Sequence, residues 1–166
     1  MVNDKRLHMK FANEALRVVR ETLGEEGVYV CGSMRRGKTI VGDLDVVVVT
    51  DEAASDLGGR LKDLCGVDMA KRKSVSFVVP VDVEGTIERV QVDLNLCTSE
   101  IKGTYLMHWT GSMKENVRLR AVAKSKGMML SQNGLFDSAK VNRAINCTEE
   151  EVYALLGVEY VEPSKR

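Results

Sequence analysis

The sequence lacks the features that mark membrane and secreted proteins. No apolar run reaches the roughly 18 residues that a membrane-spanning helix needs. The first residues, Met1 to Arg6, are polar and basic and are not followed by the apolar segment of a secretory signal. We therefore expect no membrane span and an intracellular, soluble protein.

Cysteine is scarce, with four residues in 166. Cys31, Cys65, Cys97 and Cys147 are widely spaced and form no Cys-x-x-Cys motif, which argues against a structural zinc site. Free thiols in a reducing compartment are the simplest interpretation. A Cys31–Cys97 disulfide stays open, although no sequence feature requires it.

Charge of one sign is not in excess. Lys and Arg number 24, Asp and Glu also number 24, and the formal net charge is zero. A protein that held a long polyanion with its whole surface would be basic. Any contact with nucleic acid must therefore come from local basic patches. The length of 166 residues suits one domain or two small subdomains that share a core.

One stretch of the sequence, in contrast, combines residue types that are typical of a catalytic site. Gly32-Ser33 forms a tight turn after a short strand, and Gly42-Asp43 precedes an apolar strand that also carries Asp45. Side chains at i and i+2 of a strand point the same way, so Asp43 and Asp45 form a carboxylate pair. Such a pair either shares a proton or neutralises a cation, and its hard oxygens suit Mg²⁺. A turn that binds phosphate beside magnesium carboxylates indicates phosphoryl transfer.

A third acid is expected beside this pair. Ser74 to Val83 and Ile87 to Cys97 predict a hairpin whose second arm alternates apolar and polar residues. The polar face of that arm carries Asp93. If the arm pairs beside the Asp43/Asp45 strand, three carboxylates converge, which is what two Mg²⁺ ions need as a protein clamp. Mn²⁺ can substitute for Mg²⁺ in this prediction.

The rest of the chain alternates helices and short strands. Helical periodicity predicts helices over 4–23, 52–65 and 112–126. Asn3 or Asp4 can cap the first helix, and Gly24 can end it. Ser112-x-x-Glu115 and Thr148-x-x-Glu151 are capping boxes, and the second begins another helix. Asn133-Gly134 predicts a hairpin turn. Basic side chains cluster before the first hairpin arm and on the 112–126 helix. We expect contacts to DNA from Lys71, Arg72, Lys73, Lys114, Arg118 and Lys124; the alternative interpretations are a solvated turn for the first three and a solvated helix face for the others.

The first block resembles the nucleotidyltransferase superfamily, and its Arg35-Arg36-Gly37 continuation resembles the DNA polymerase X branch. A second block strengthens the likeness: two ring residues, then Thr-Gly-Ser, an Asn four residues past the Ser and an Arg four past the Asn. The resemblance implies that Ser33 and Arg36 hold the nucleotide phosphates and that Asp93 accepts the proton of the primer 3′-hydroxyl. The nucleotide-binding residues implied by it are Gly32, Ser33, Arg36, Gly42, His108, Trp109, Gly111, Asn116 and Arg120. The ring pair is usually Tyr-Phe in that family, so His108 makes sugar selection and pH dependence open questions.

The resemblance also implies an architecture. We expect an α+β fold, with a catalytic palm over 1–103 built on a mixed, mainly antiparallel sheet with helices on one side. A small C-terminal α/β subdomain over 104–166 would bind nucleotide and template. We expect no lyase or helix-hairpin-helix domain, as in the reduced polymerases of some large DNA viruses.

The function implied is a monomeric, template-directed DNA polymerase. It would add deoxynucleotides to a primer 3′-hydroxyl by two-metal phosphoryl transfer and fill short gaps during DNA repair, in the cytoplasm of a microbe or a virus-infected cell. Two alternatives remain: a template-independent or non-DNA nucleotidyltransferase, and a catalytically idle module that binds DNA ends. The Thr-Gly-Ser helix argues against the first, and the three retained acids argue against the second.

Overall fold

A computed structural model describes residues 6–51, 54–66 and 72–166, without the side chains of residues 54–56 in the third helix. The strands are β1 (Leu7–His8), β2 (Val28–Val30), β3 (Ile40–Val41), β4 (Leu44–Val49), β5 (Ser74–Val83), β6 (Thr86–Cys97), β7 (Met129–Ser131) and β8 (Gly134–Phe136). The helices are α1 (Met9–Leu23), α2 (Gly32–Arg35), α3 (Ala54–Cys65), α4 (Lys102–Thr110), α5 (Met113–Ser125) and α6 (Glu149–Leu155).

The main sheet has the strand order β2-β4-β6-β5. β2 pairs with β4 and β5 pairs with β6 in antiparallel fashion, whereas β4 and β6 run parallel. The fold is therefore a mixed α+β structure whose sheet is mainly antiparallel. The predicted hairpin is confirmed, since its two arms match β5 and β6 within a residue.

Helices α1 and α3 pack on one face of this sheet. Their apolar side chains meet the alternate residues of the strands, such as Leu44, Val46 and Leu94, which are fully buried. The end of α1 at Gly24 is confirmed, but its start is not the one predicted. Residues Leu7–His8 form β1 instead, and His8 caps the helix by accepting a hydrogen bond from the Lys10 amide at 3.2 Å. The predicted caps at Asn3 or Asp4 lie outside the described residues.

Helix α4 covers part of the opposite face of the sheet, which corrects the expectation that helices lie on one side only. Tyr105 and Leu106 of α4 pack against Cys31, Val47 and Cys97 on that face. No helix was predicted here, because the segment mixes buried polar and apolar residues without a clear amphipathic period. The helix covers only part of the face and leaves its other end open.

A second core forms around α5, the β7–β8 hairpin and α6. The predicted hairpin and the reciprocal capping box of Thr148 and Glu151 are both confirmed. Ser112 caps α5 by accepting a bond from the Glu115 amide. The Glu115 side chain, however, bonds to Arg118 and Tyr153, so the predicted second half of that capping box is wrong. The expected domain boundary at residue 104 falls inside α4 and stays a prediction.

All four cysteines are free. Cys31 donates its amide to the Asp45 carbonyl, whereas Cys97 pairs with Val49 at the far end of β4. Four residues of strand separate those levels, roughly 13 Å at about 3.3 Å per residue, which is too far for a disulfide. The pairing left open by the sequence does not form. Among the described residues, no helix is both long and apolar enough to cross a membrane.

Candidate active site

The three predicted acids lie together at one end of the sheet. Asp45 on β4 and Asp93 on β6 are direct partners across the parallel ladder, so their side chains leave the same face. Asp43 lies one residue before β4 and two before Asp45. All three are on the end of the face that α4 leaves open. Parallel pairing of two strands that are distant in sequence therefore assembles the group.

Electrostatics show that these carboxylates influence one another. Burial raises the pKa of Asp43, and the negative charge of Asp93 raises it further. Burial raises the pKa of Asp45 to about 7, with added repulsion from Asp43 and then Asp93, while Arg36 opposes the shift. Three acids that repel one another at a partly buried point gain stability from a cation.

The chemistry of this set fits magnesium, which prefers carboxylate oxygens. Within the described chain, no group of three His, Cys, Asp or Glu side chains stands close enough to hold a metal ion as it is. The donor types and their mutual repulsion fit the ion, and the side chains would have to close around it.

Gly32 explains how the turn before α2 approaches the acids. Its φ of 55° lies in the left-handed region that favours glycine, and a Cβ at this position would overlap the Asp45 carboxylate. The backbone is held there because Cys31 donates its amide to the Asp45 carbonyl at 2.9 Å. The Gly-Ser turn is thus packed directly on the second acid.

A cavity of about 420 Å³ opens beside the acids and is closed on its other side by α4 and α5. Ten of the predicted site residues line it: Gly32, Ser33, Arg36, Asp43, Asp45, His108, Trp109, Gly111, Asn116 and Arg120. Two predicted site residues do not line the cavity: Asp93, the third acid, and Gly42, which precedes Asp43. Two blocks separated by about 70 residues of sequence therefore face one space.

His108 organises the α4–α5 side of the cavity. Asn116 donates from Nδ2 to the His108 carbonyl at 2.8 Å, and Arg120 Nη2 lies 3.1 Å from His108 Nδ1. Burial lowers the pKa of His108, and the Arg120 charge lowers it further. The ring is therefore neutral at pH 7 and can accept the hydrogen bond from Arg120. Asn116 and Arg120, one turn apart on α5, are both fixed to the end of α4.

Both arginines of the first block reach the end of α4. Arg36 donates to the Thr110 carbonyl, and Arg35 donates to the Thr110 hydroxyl at 2.6 Å. Arg35 also pairs with Glu149, which in turn binds Arg166 at 3.0 Å. Sequence reasoning missed the roles of Thr110, Glu149 and Arg166, since no local pattern shows which distant charges meet.

The remaining cavity residues are apolar. Met113 and Val117 lie one turn apart on α5, are 82% and 60% exposed, and line the same cavity. Val117 was not predicted as a site residue. The signal that could have found it is its i, i+4 spacing from Met113 on a helix that is otherwise charged.

The predicted DNA contacts do not line the cavity. Arg72 and Lys73 are exposed just before β5, and Lys71 lies outside the described residues. Lys114, Arg118 and Lys124 are exposed on α5, but Arg118 already pairs with Glu115. The patch is therefore less positive than its sequence indicates.

Known proteins resemble this chain both in its C-terminal part and over nearly its full length. Residues 105–166 match the family model described as DNA polymerase beta thumb. The chain is 32% identical to DNA polymerase lambda of Arabidopsis thaliana over 182 aligned residues, which cover 90% of the chain and 34% of that protein. It is 27% identical to the repair DNA polymerase X of African swine fever virus over 179 residues, covering 100% of the chain and 94% of the viral protein.

The chain is similar over nearly its full length to proteins of the DNA polymerase X family. A further relative is the DNA polymerase/3′-5′ exonuclease PolX of Bacillus subtilis, 30% identical over 137 residues, 81% of the chain and 23% of that protein. The chain thus spans about a third of the plant relative and about a quarter of the bacterial one. The thumb match begins within α4 and includes the residues that face the acids across the cavity.

Proposed function

We propose that this protein is a template-directed DNA polymerase that adds deoxynucleotides to a primer 3′-hydroxyl, with short gaps in damaged DNA as its substrate. The observation that carries the proposal is the pairing of Asp45 with Asp93, together with a cavity that is lined by Asp43 and Asp45 on one side and by Asn116 and Arg120 of α5 on the other. The names of the plant, bacterial and viral relatives support polymerase activity, and the viral name supports a role in repair.

We propose a part in the reaction for each side chain of the site. Asp43, Asp45 and Asp93 would hold two Mg²⁺ ions, which supply charge neutralisation at the attacking and leaving oxygens. A carboxylate oxygen of Asp93 accepts the proton of the primer 3′-hydroxyl. The 3′-oxygen then attacks the α-phosphorus in line, and pyrophosphate leaves.

The rest of the cavity would orient the nucleotide. Ser33 and Arg36 bind the β- and γ-phosphates, and Gly111 leaves room for the sugar because it has no side chain. Asn116 and Arg120 face the new base pair, with Asn116 toward the incoming base and Arg120 toward the template. Because both already bond to His108, they are oriented before substrate arrives.

We further propose a palm over 1–103 and a nucleotide- and template-binding subdomain over 104–166, acting as a monomer. The two separate apolar cores support this division. Lys71, Arg72, Lys73, Lys114, Arg118 and Lys124 would contact the DNA backbone. Such a small DNA-holding surface implies that the enzyme leaves its substrate after few additions.

The test is insertion into a one-nucleotide gap with Mg²⁺, using each deoxynucleotide and each ribonucleotide in turn. We expect the templated deoxynucleotide to be added and the Asp93→Ala variant to lose at least about a thousandfold in rate. Changing the template base should change the nucleotide that is added. Insertion that ignores the template base would overturn the polymerase assignment, and unchanged insertion by Asp93→Ala would overturn the proposed site.

One comparison favours a second candidate, a template-free transferase. The chain is 39% identical over 82 residues, or 49% of its length, to the DNA nucleotidylexotransferase of Eulemur macaco. A single-stranded primer distinguishes the two functions. Efficient extension of that primer, with no gain from an added template strand, would favour the transferase.

A further inference from the structure

The face of β6 that carries Asp93 also carries Gln91, two residues before it. Gln91 donates from Nε2 to both carboxylate oxygens of Asp93, at 3.1 Å to Oδ1 and 3.4 Å to Oδ2. Across the ladder from Gln91 stands Val78, whose side chain has no polar atom to offer it. The amide of Gln91 is therefore directed at the third acid.

The register of the sheet places this amide among all three acids. Leu44 is opposite Val92 and Asp45 is opposite Asp93 on the parallel strands β4 and β6. Asp43 immediately precedes β4, so it lies at the same end of the sheet as Asp45 and Asp93. The hydrogen-bonded Gln91–Asp93 pair therefore lies at the end of the sheet that holds the other two acids.

A neutral donor bonded to Asp93 has a specific physical effect. The carboxylates repel one another, so without a cation Asp93 is pushed to rotate away toward water. A hydrogen bond from an amide opposes that rotation. Unlike a lysine or arginine, the amide adds no positive charge, so the full negative charge of the three acids stays available to divalent ions.

We propose that Gln91 is a positioning residue that holds the Asp93 carboxylate in place beside Asp43 and Asp45 before the ions and the primer arrive. The consequence for catalysis rests on the proposed function, because only there does Asp93 act on the 3′-hydroxyl. The bond itself does not depend on that function and can be measured in the metal-free protein.

The first experiment observes the bond without any reaction. Gln91 and Gln132 are the only glutamines in the chain, so the metal-free protein gives two glutamine side-chain amide signals in a nitrogen-15 spectrum. We expect Asp93→Ala to move the Gln91 signal toward that of a solvated amide and to leave the Gln132 signal in place. An unmoved Gln91 signal would show that the bond is absent and would overturn the proposal.

The second experiment measures the effect on the reaction. Gln91→Met keeps the length of the side chain and removes its donor, while Ser76→Ala changes the exposed neighbour directly across the ladder from Asp93. In single-turnover gap filling, we expect Gln91→Met to lower the maximal rate about tenfold with the nucleotide Kd within about twofold. Ser76→Ala should stay within about twofold of the parent protein on both quantities.

The pattern of results separates the two proposals. Because Gln91 is exposed, Gln91→Met should melt within a degree or two of the parent protein, which rules out misfolding as the cause. A maximal rate within about twofold of the parent, or a loss carried by Kd instead, would overturn the positioning role. If the parent protein fails to insert a templated nucleotide, the proposed function fails, and the spectrum still decides whether the bond exists.

Discussion

At the scale of single residues, the site depends on how closely Gly32 approaches Asp45. A Cβ at Gly32 would overlap the Asp45 carboxylate, and the φ of 55° is strained for other residues. Gly42→Ala is the matched control, because its added Cβ meets no atom within 4 Å and its φ lies outside the left-handed region. We expect Gly32→Ala to reduce gap filling at least about a hundredfold, with a smaller loss for Gly42→Ala. Equal losses in the two variants would contradict this account of the turn.

The raised pKa of Asp45 makes a second prediction at this scale. Its pKa of about 7 in the folded state exceeds the ordinary value of 3.8, so ionising Asp45 opposes folding of the metal-free protein. The sign is therefore loss of stability as pH rises from about 4 to about 7, with no further change above. Asp45→Asn should raise the melting temperature in EDTA by an amount that grows over this range and then levels off.

Magnesium provides the check on that prediction. If the ion relieves the repulsion, adding it at pH 8 should raise the melting temperature of the parent protein and raise that of Asp45→Asn much less. A gain from Asp45→Asn that is the same at pH 5 and pH 8 would show that desolvation and repulsion do not govern this carboxyl.

At the scale of secondary-structure elements, Arg35 of α2 and Glu149 of α6 tie the two cores together. The Glu149 side chain is 6% exposed and that of Arg166 is fully buried, so neither charged group is hydrated by solvent. Arg166 also donates to the Val161 carbonyl at 2.6 Å. Removing the carboxylate leaves two guanidinium groups around one buried point. We expect Glu149→Gln to lower the free energy of unfolding by about 3 kcal/mol.

Denaturant unfolding measures this loss, and Glu150→Gln is the control. Glu150 neighbours Glu149 on α6 but is exposed, so its replacement should change stability by no more than about 0.5 kcal/mol. Equal effects of the two variants would mean that the buried ion pairs contribute nothing beyond ordinary surface charge.

The elements also show what local sequence can and cannot reveal. The β5–β6 hairpin and the Thr148–Glu151 cap were predictable because alternation and capping are properties of neighbouring residues. The meeting of Asp93 with Asp45 was expected only conditionally, since pairing between distant strands leaves no local mark. The α4 helix was missed because it packs both on the sheet face opposite α1 and on the second core, and a helix buried on several sides loses its amphipathic period. The Thr110 and Glu149 contacts were missed because they depend on tertiary placement alone.

At the scale of the whole molecule, a net charge of zero confines any DNA contact to local patches. Lys114 and Lys124 are exposed on α5, while the charge of Arg118 is largely cancelled by Glu115. Each phosphate contact that is lost should reduce the slope of log K against log salt by about 0.9. Lys114→Gln/Lys124→Gln should therefore lower the slope for gapped DNA by about 1.8, whereas Arg118→Gln should change it by much less than 0.9.

The control removes the same charge elsewhere. Lys62 on α3 is exposed on a helix that packs against the far face of the sheet. Lys62→Gln should leave the slope unchanged, whereas Lys114→Gln alone should lower it by about 0.9, as measured by fluorescence anisotropy at several salt concentrations. If both single variants lower the slope equally, binding responds to total charge and α5 is not the DNA surface. If neither does, the phosphates are held by the cavity residues and by the basic segment before β5, and α5 contributes only to the nucleotide site.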